Sequence, residues 1–374
     1  MRGSFAYVRL STLAVLAGAL VLQVAARADS IELAEGKVLD DVGVVLALWD
    51  NVQYKRAKAS RATTVVGQKV RSIERESLVL QPLRDAIKNG KYKKAIKGLG
   101  GVGKLSEPWE QAEARYLIGK AHAFAGEQRE AGRAFKDYLS KHEKDKDWYV
   151  PFAVYEYGES LLASRKPGTA GVQFKKLAAY GGSWVLLAKY GEGLAALAKG
   201  KAGAQTARGL LDVVYRSRQA PRELKEKAAV ARVKAILLQE NAKGAIEELN
   251  QAFFDPSRAG KVSYSVARAE ASLLMGQAHL ALGGKENLQA AELWFLRIPA
   301  LYRRHAGIYE EACRALVGVY GKLGNTKREE EWKARLAAAA GTSSTGSDAP
   351  RKKNQRKKKQ NHGSANNIAA GGSK

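Results

Sequence analysis

The apolar positions of this 374-residue chain change period near residue 76. Before it, short β-branched runs dominate: Ile31-Glu32-Leu33, residues 38–48, Val52-Gln53-Tyr54, residues 63–66 and Val70-Arg71-Ser72-Ile73. Glu35-Gly36, Asp50-Asn51 and Gly67-Gln68 separate them, and the alternation in Ile31/Leu33 and Val52/Tyr54 is that of a sheet with one buried face. Residues 29–76 are therefore predicted to form a small antiparallel β module. A unit below about 50 residues without disulfides buries too little surface to be stable alone, so it is expected to pack on the first helices.

From Ser77 to about Ala340 the period is helical. Residues 109–143 read WEQAEARYLIGKAHAFAGEQREAGRAFKDYLSKHE. Tyr116, Gly119 and His122 sit at helical spacing, Gly126 interrupts, and Ala131, Phe135 and Tyr138 resume that spacing on a second helix. With Gly119 as the reference position, equivalents fall at Leu83, Gly158, Gly191, Val233, Gly276 and Val317, a mean spacing of 39 residues. Gly276-His279-Gly283 repeats Gly119-His122-Gly126 without a gap. Two departures need a place: residues 199–204 stand where the fourth unit should turn, and residues 284–287 are inserted before the second helix of the sixth.

The succession Gly119, Gly126, Ala131, Phe135 resembles the small-residue and aromatic pattern of a tetratricopeptide repeat (TPR). That resemblance implies a mainly α protein, an α-solenoid of about six to seven TPR-like helix-turn-helix repeats over residues 77–340. One hairpin cannot bury its apolar face, whereas stacked neighbours share a continuous core. Phe135, Phe174, Leu249 and Phe295 on second helices are expected to fill the space between units. The resemblance also implies a groove lined by first helices, in which extended peptides or partner helices lie. Counting from the reference position proposes Tyr116, Lys120, Tyr155, Glu159, Glu192, Lys234, Gln277 and Arg314 as its lining.

The two ends read differently. Arg2 and Arg9, an apolar run over residues 10–24 and Ala26-Arg27-Ala28 predict a signal peptide over residues 1–28, cleaved before Asp29. The expected location is the periplasm or cell envelope, with secretion also open. An uncleaved anchor is the second reading, although roughly 15 apolar residues fall short of the about 20 that cross a bilayer. Residues 341–374 are a low-complexity tail expected to be disordered. It carries Arg351, Lys352, Lys353, Arg356, Lys357, Lys358 and Lys359, seven cations in nine residues. A solvated tail and a tether to an anionic membrane or polymer are both open.

Charge narrows the partner. Removing the +3 of the first 28 residues and the +7 of the tail from the net +26 leaves +16 on residues 29–340. A body of that sign favours anionic lipid, acidic polymer, nucleic acid or an acidic protein face. Export and the absence of aromatic residues within the basic run disfavour nucleic acid.

Little in the chain points to catalysis. Cys313 is the only cysteine, so no intrachain disulfide is possible, and it reads as a buried small hydrophobe. His122, His142, His279, His305 and His362 form no metal-ligand pair, and His122 and His279 read as packing residues. Gly98-Leu99-Gly100-Gly101-Val102-Gly103-Lys104 imitates a phosphate-binding loop, but Leu105 replaces the Ser or Thr and the preceding residues look helical. Glu329-Glu330-Glu331 reads as a solvated helix face. No cofactor, metal or small-molecule substrate is expected. Two functions remain: an exported non-enzymatic scaffold that binds a protein or peptide in its groove, or an envelope protein that holds polyanions with its basic body and tail.

Overall fold

Five strands precede fourteen helices in the computed structural model, which describes residues 29–56, 59–101, 105–255 and 265–344. The predicted signal peptide and the basic run of the tail lie outside the described residues. Strands β1 (Asp29–Leu33), β2 (Val38–Ala47), β3 (Asn51–Arg56), β4 (Thr63–Val66) and β5 (Val70–Glu74) pair antiparallel in the order β4-β3-β2-β1-β5. Val52 and Tyr54 alternate inward on β3, while the buried residues of β2 and β5 are three apart, and Ile31, Leu39, Val42, Val52, Tyr54, Val70 and Ile73 form the sheet's core.

The helices are α1 (Gln81–Lys88), α2 (Tyr92–Leu99), α3 (Pro108–Phe124), α4 (Gln128–His142), α5 (Val150–Ala163), α6 (Pro167–Leu177) and α7 (Ser183–Leu197). Then follow α8 (Lys201–Arg216), α9 (Arg222–Leu238), α10 (Ala242–Leu249), α11 (Val266–Leu282), α12 (Gly284–Leu301), α13 (Ala306–Lys322) and α14 (Thr326–Ser344). Consecutive pairs make seven hairpins, each packed on the next.

The glycines at the reference position are there because large side chains occupy the space beside them. A Cβ on Gly119 would lie 2.5 Å from Phe135, and one on Gly276 would lie 2.5 Å from Phe295. Phe135, Phe174, Leu249 and Phe295 are all fully buried, as expected of second-helix residues that fill the stack. The first hairpin reverses the arrangement: Leu83 is large, and its side chain fills the space beside Gly98 of α2. In the fourth hairpin Gly193, two residues beyond the predicted position, faces Leu211 of its own second helix, while Gly191 presses on Phe174 of the hairpin before.

The two insertions are taken up largely within helices. No wide loop spans residues 199–204, because Gly200 takes φ +70° and α8 starts at the next residue. Residues 284–287 are the first turn of α12, which is lengthened rather than looped. At the other end, α14 continues to Ser344, past the predicted boundary at 340.

The β module was expected on the first helices; the helical side chains in contact with its core are instead Trp148, Tyr149 and Phe152, from the α4–α5 connection and α5. Helices α1 and α2 have eight residues each, and their apolar faces are used against each other and α3 through Leu80, Ala86, Ala95, Leu99 and Ala114. The aromatic surface that can cover the sheet lies one hairpin on. Backbone and charge fasten the module there: Trp49 N donates to Lys146 O at 3.0 Å, Lys146 Nζ meets Asp50 at 2.7 Å, and Gln68 Nε2 donates to Tyr180 O at 3.2 Å.

Candidate functional site

The first helices of successive hairpins touch one another, α3 with α5, α5 with α7, α7 with α9, α9 with α11 and α11 with α13, whereas second helices approach each other less closely. Crowding on one side sets the inside of the curve, so the first helices line the concave face. Side chains two hairpins apart also sense each other there: Lys227 of α9 acts on Glu159 of α5, and Glu270 of α11 acts on Tyr190 of α7.

Side chains one residue past the reference position form a row along this face. Arg84 meets Glu113 through two bonds of 2.6 and 2.7 Å, Lys120 meets Glu156 at 2.8 Å, Lys234 meets Glu270 at 2.9 Å, and Gln277 donates to Glu311 at 3.1 Å. Each of these bonds crosses from one first helix to the next. In three of the four the acceptor stands six residues before its own reference position: Glu113, Glu270 and Glu311. The row therefore serves as inter-repeat cross-linking as well as surface.

The predicted groove residues fall on this face, with one exception in accessibility. Tyr116 is 5% exposed, between Phe135, Tyr138 and Tyr149, and is core rather than lining. Lys120 and Lys234 are held in the cross-links above, and Arg314 is exposed and paired with Glu310 at 2.7 Å on its own helix. Glu192 meets Lys189 of its own helix at 3.6 Å. Tyr155 is half-buried and stands one helical turn before Glu159, which is open to water. Crowding by the surrounding walls, and then the neighbouring Glu156, push the Glu159 carboxyl above the usual glutamate value. Burial also holds the Tyr155 and Tyr190 hydroxyls above the ordinary tyrosine value, so both rings stay neutral.

Glu113, Glu156, Tyr190, Glu270 and Glu311 were not among the predicted lining residues. The spacing of six before the reference glycine would have found three of them.

Other candidates take structural places. His122 Nδ1 lies 2.7 Å from Glu127 and His279 Nδ1 lies 3.1 Å from Asn287, so each half-buried ring ties the end of a first helix to the start of the next. Cys313 is fully buried, and burial pushes its thiol up. Gly98 and Leu99 of the glycine-rich string end α2, so a helix precedes it and not a strand; residues 102–104 lie outside the described residues. A cavity of about 230 Å³ opens between α9 and α11. Two of the polar groups in it are paired with Glu226, which receives Arg222 at 2.9 Å and the Ser265 hydroxyl at 3.2 Å. Among the described residues no group of three His, Cys, Asp or Glu could hold a metal, and no helix is long and apolar enough to cross a membrane.

No family model and no curated protein matches this chain. Among solved structures, it is similar to the C-terminal part of a TPR repeat-containing protein from Cytophaga hutchinsonii, at 12% identity and TM-score 0.40 over 70% of this chain and 96% of that one. A tetratricopeptide repeat protein from Parabacteroides merdae is 14% identical at TM-score 0.36, covering 63% of this chain and 97% of its own. The Rap protein complexed with competence and sporulation factor is 14% identical at TM-score 0.45, covering 71% and 76%. The hairpin packing described above carries the assignment: the fold is a TPR-like array of seven helical hairpins preceded by a small antiparallel sheet.

Proposed function

We propose that this chain is an exported, non-enzymatic scaffold that binds a protein or peptide partner along the concave face of its first helices, in the cell envelope. The observation that supports this most is the cross-linking of that face. Polar side chains bridge α1 to α3, α3 to α5, α9 to α11 and α11 to α13, so that much of the surface is held in shape before a partner arrives. A preorganised surface loses less side-chain entropy on binding than a mobile one. Lys120, Lys189 and Lys234 of the face are paired with its own acids, although the body of the chain is strongly basic.

A second reading follows from where the basic excess lies. Second helices and the α7–α8 turn carry exposed cations, such as Arg129, Lys136, Lys175, Lys176, Lys199 and Lys201. These, with the tail, would hold anionic lipid or cell-wall polymer.

The two readings separate in one comparison. Partner proteins retained from an envelope extract are compared for the full chain, a truncation ending at Ser344, and Lys234→Glu with Arg314→Glu, each at low and high salt. The scaffold reading expects retention after truncation and loss in the double variant. Loss on truncation with a steep salt slope, and no effect of the double variant, would favour the polyanion reading instead.

A further inference from the structure

The row along the concave face is interrupted at α5 and α7. Position +1 of α1, α3, α9 and α11 bonds to the next first helix, but on α5 it is Glu159, which has no such bond among the described residues and has Tyr155 one turn back on its own helix. Six residues before the next reference position stands Val185, which can pair with nothing charged. The nearby lysines are already held: Lys120 by Glu156 at 2.8 Å and Lys227 by Glu223 at 2.8 Å. Glu192, the corresponding acid on α7, has Lys189. Among the acids of the row, Glu159 and Glu311 have no cation of their own; Glu311 receives the Gln277 amide from the neighbouring first helix, whereas Glu159 is open to water.

The backbone brings two tyrosines to it. Phe174 of α6 is clasped by two glycines, Gly158 of α5 on one side and Gly191 of α7 on the other. That clasp draws the two first helices together, so the residues beside those glycines, Glu159 and Tyr190, become neighbours. Tyr155 is held from behind by the same ring, at 5.7 Å between centroids. An exposed carboxylate beside two half-buried tyrosines on a concave wall suits one kind of guest, a cation whose charge meets the carboxylate while its apolar stem lies against the tyrosines.

We infer that Tyr155, Glu159 and Tyr190 form a subsite for one lysine or arginine side chain of the bound polypeptide. This rests on the groove reading above and adds the chemistry of its central position. Charge complementarity favours this occupant: among Lys120, Glu156, Glu159, Lys189, Glu192, Glu223, Lys227, Lys234 and Glu270, the acids exceed the cations by one, within a body of +16. Crowding and then the neighbouring Glu156 raise the Glu159 pKa, and a guest cation offsets the second of these.

A display library of random dodecapeptides, selected on the full chain, tests this. The expected result is a pool with one invariant Lys or Arg. The consensus peptide should bind about tenfold more tightly than its norleucine analogue. Glu159→Gln should remove that tenfold difference while leaving the norleucine peptide's affinity unchanged. Tyr190→Leu should reduce it. An enriched pool without an invariant basic position, or a basic position indifferent to Glu159→Gln, would overturn the subsite while leaving the groove reading standing. No enrichment at all would overturn both. Enrichment that appears only after removal of residues 345–374 would also overturn the proposal, since the chain's own basic run would then be the occupant.

Discussion

Gly158 of α5 lies flat against the ring of Phe174: a Cβ on that glycine would sit 2.6 Å from the ring. Gly191 of α7 lies as close on the other side, so one buried phenylalanine sets the spacing of two first helices. Gly158→Ala should therefore destabilise the protein by about 1–3 kcal/mol through overpacking. Phe174→Ala should cost about 3–5 kcal/mol through the void it leaves. Urea unfolding of the single variants and of Gly158→Ala with Phe174→Leu checks the geometry; the pair should be less destabilised than the sum of its parts, because the smaller side chain makes room for the methyl.

Trp148 is 6% exposed and closes the sheet's core from outside the sheet. Trp148→Ala should cost about 3–5 kcal/mol and should loosen the β module while the hairpins stay folded. Limited proteolysis, with cleavage gained within residues 29–76 before any in the helices, is the measurement. Lys146→Ala should have little effect, since its 2.7 Å bond to Asp50 joins side chains 53% and 30% exposed, and such pairs contribute at most about 1 kcal/mol.

Burial also separates two ion pairs of similar appearance. Arg84 and Glu113 have side chains 14% and 5% exposed, against 68% and 79% for Lys201 and Glu240. Glu113→Ala leaves a largely buried guanidinium without its counter-charge, with only the neutral acceptors Arg75 O and Gln81 Oε1 remaining, and should cost about 3–5 kcal/mol. Glu240→Ala should change stability by no more than about 1 kcal/mol. Thermal or urea unfolding of the two variants decides.

His142 lies 4.9 Å from the ring of Tyr138, and its Nε2 is buried without a partner. Burial holds its pKa below the ordinary 6.5. A lowered folded value means that the unfolded chain takes up the proton first. The stability His142 contributes is present above about pH 6.5 and is lost as pH falls through its folded value. Glu159 acts with the opposite sign, since its raised pKa favours the folded state as pH falls. The test is accordingly a difference: His142→Phe should lose less stability than the parent between pH 7 and pH 5.

The strands and hairpins were legible because their signals are local. β-Branched alternation marked the sheet, and Gly119 with Phe135 marked the hairpin. Where the sheet docks was not legible, since Trp148 belongs by position to a connection between helices and only the fold brings it to Ile31 and Val52. The same holds for Tyr116. Its helical position placed it on the groove, yet Tyr149 of the next hairpin stacks on it at 4.6 Å and seals it in. The groove's cross-links were half legible: the donors Lys120, Lys234 and Gln277 were found by counting, but their acceptors belong to neighbouring repeats. Glu159 stood in the row from the start. That it lacks a cation depends on Val185, on the fastening of Lys120 and Lys227, and on the clasp of Phe174, none of which is written locally.

The central claim is that partners lie along the concave face. Photo-crosslinking from single positions tests it most directly, with a benzophenone side chain at Gln277, Glu192 or Arg314 on the first helices and at Val172, Val213 or Leu293 on the second, whose native side chains are 58%, 54% and 67% exposed. The account predicts a discrete polypeptide adduct from the first-helix positions and none from the second. Equal adducts from both sets, or adducts confined to the second helices, would contradict it.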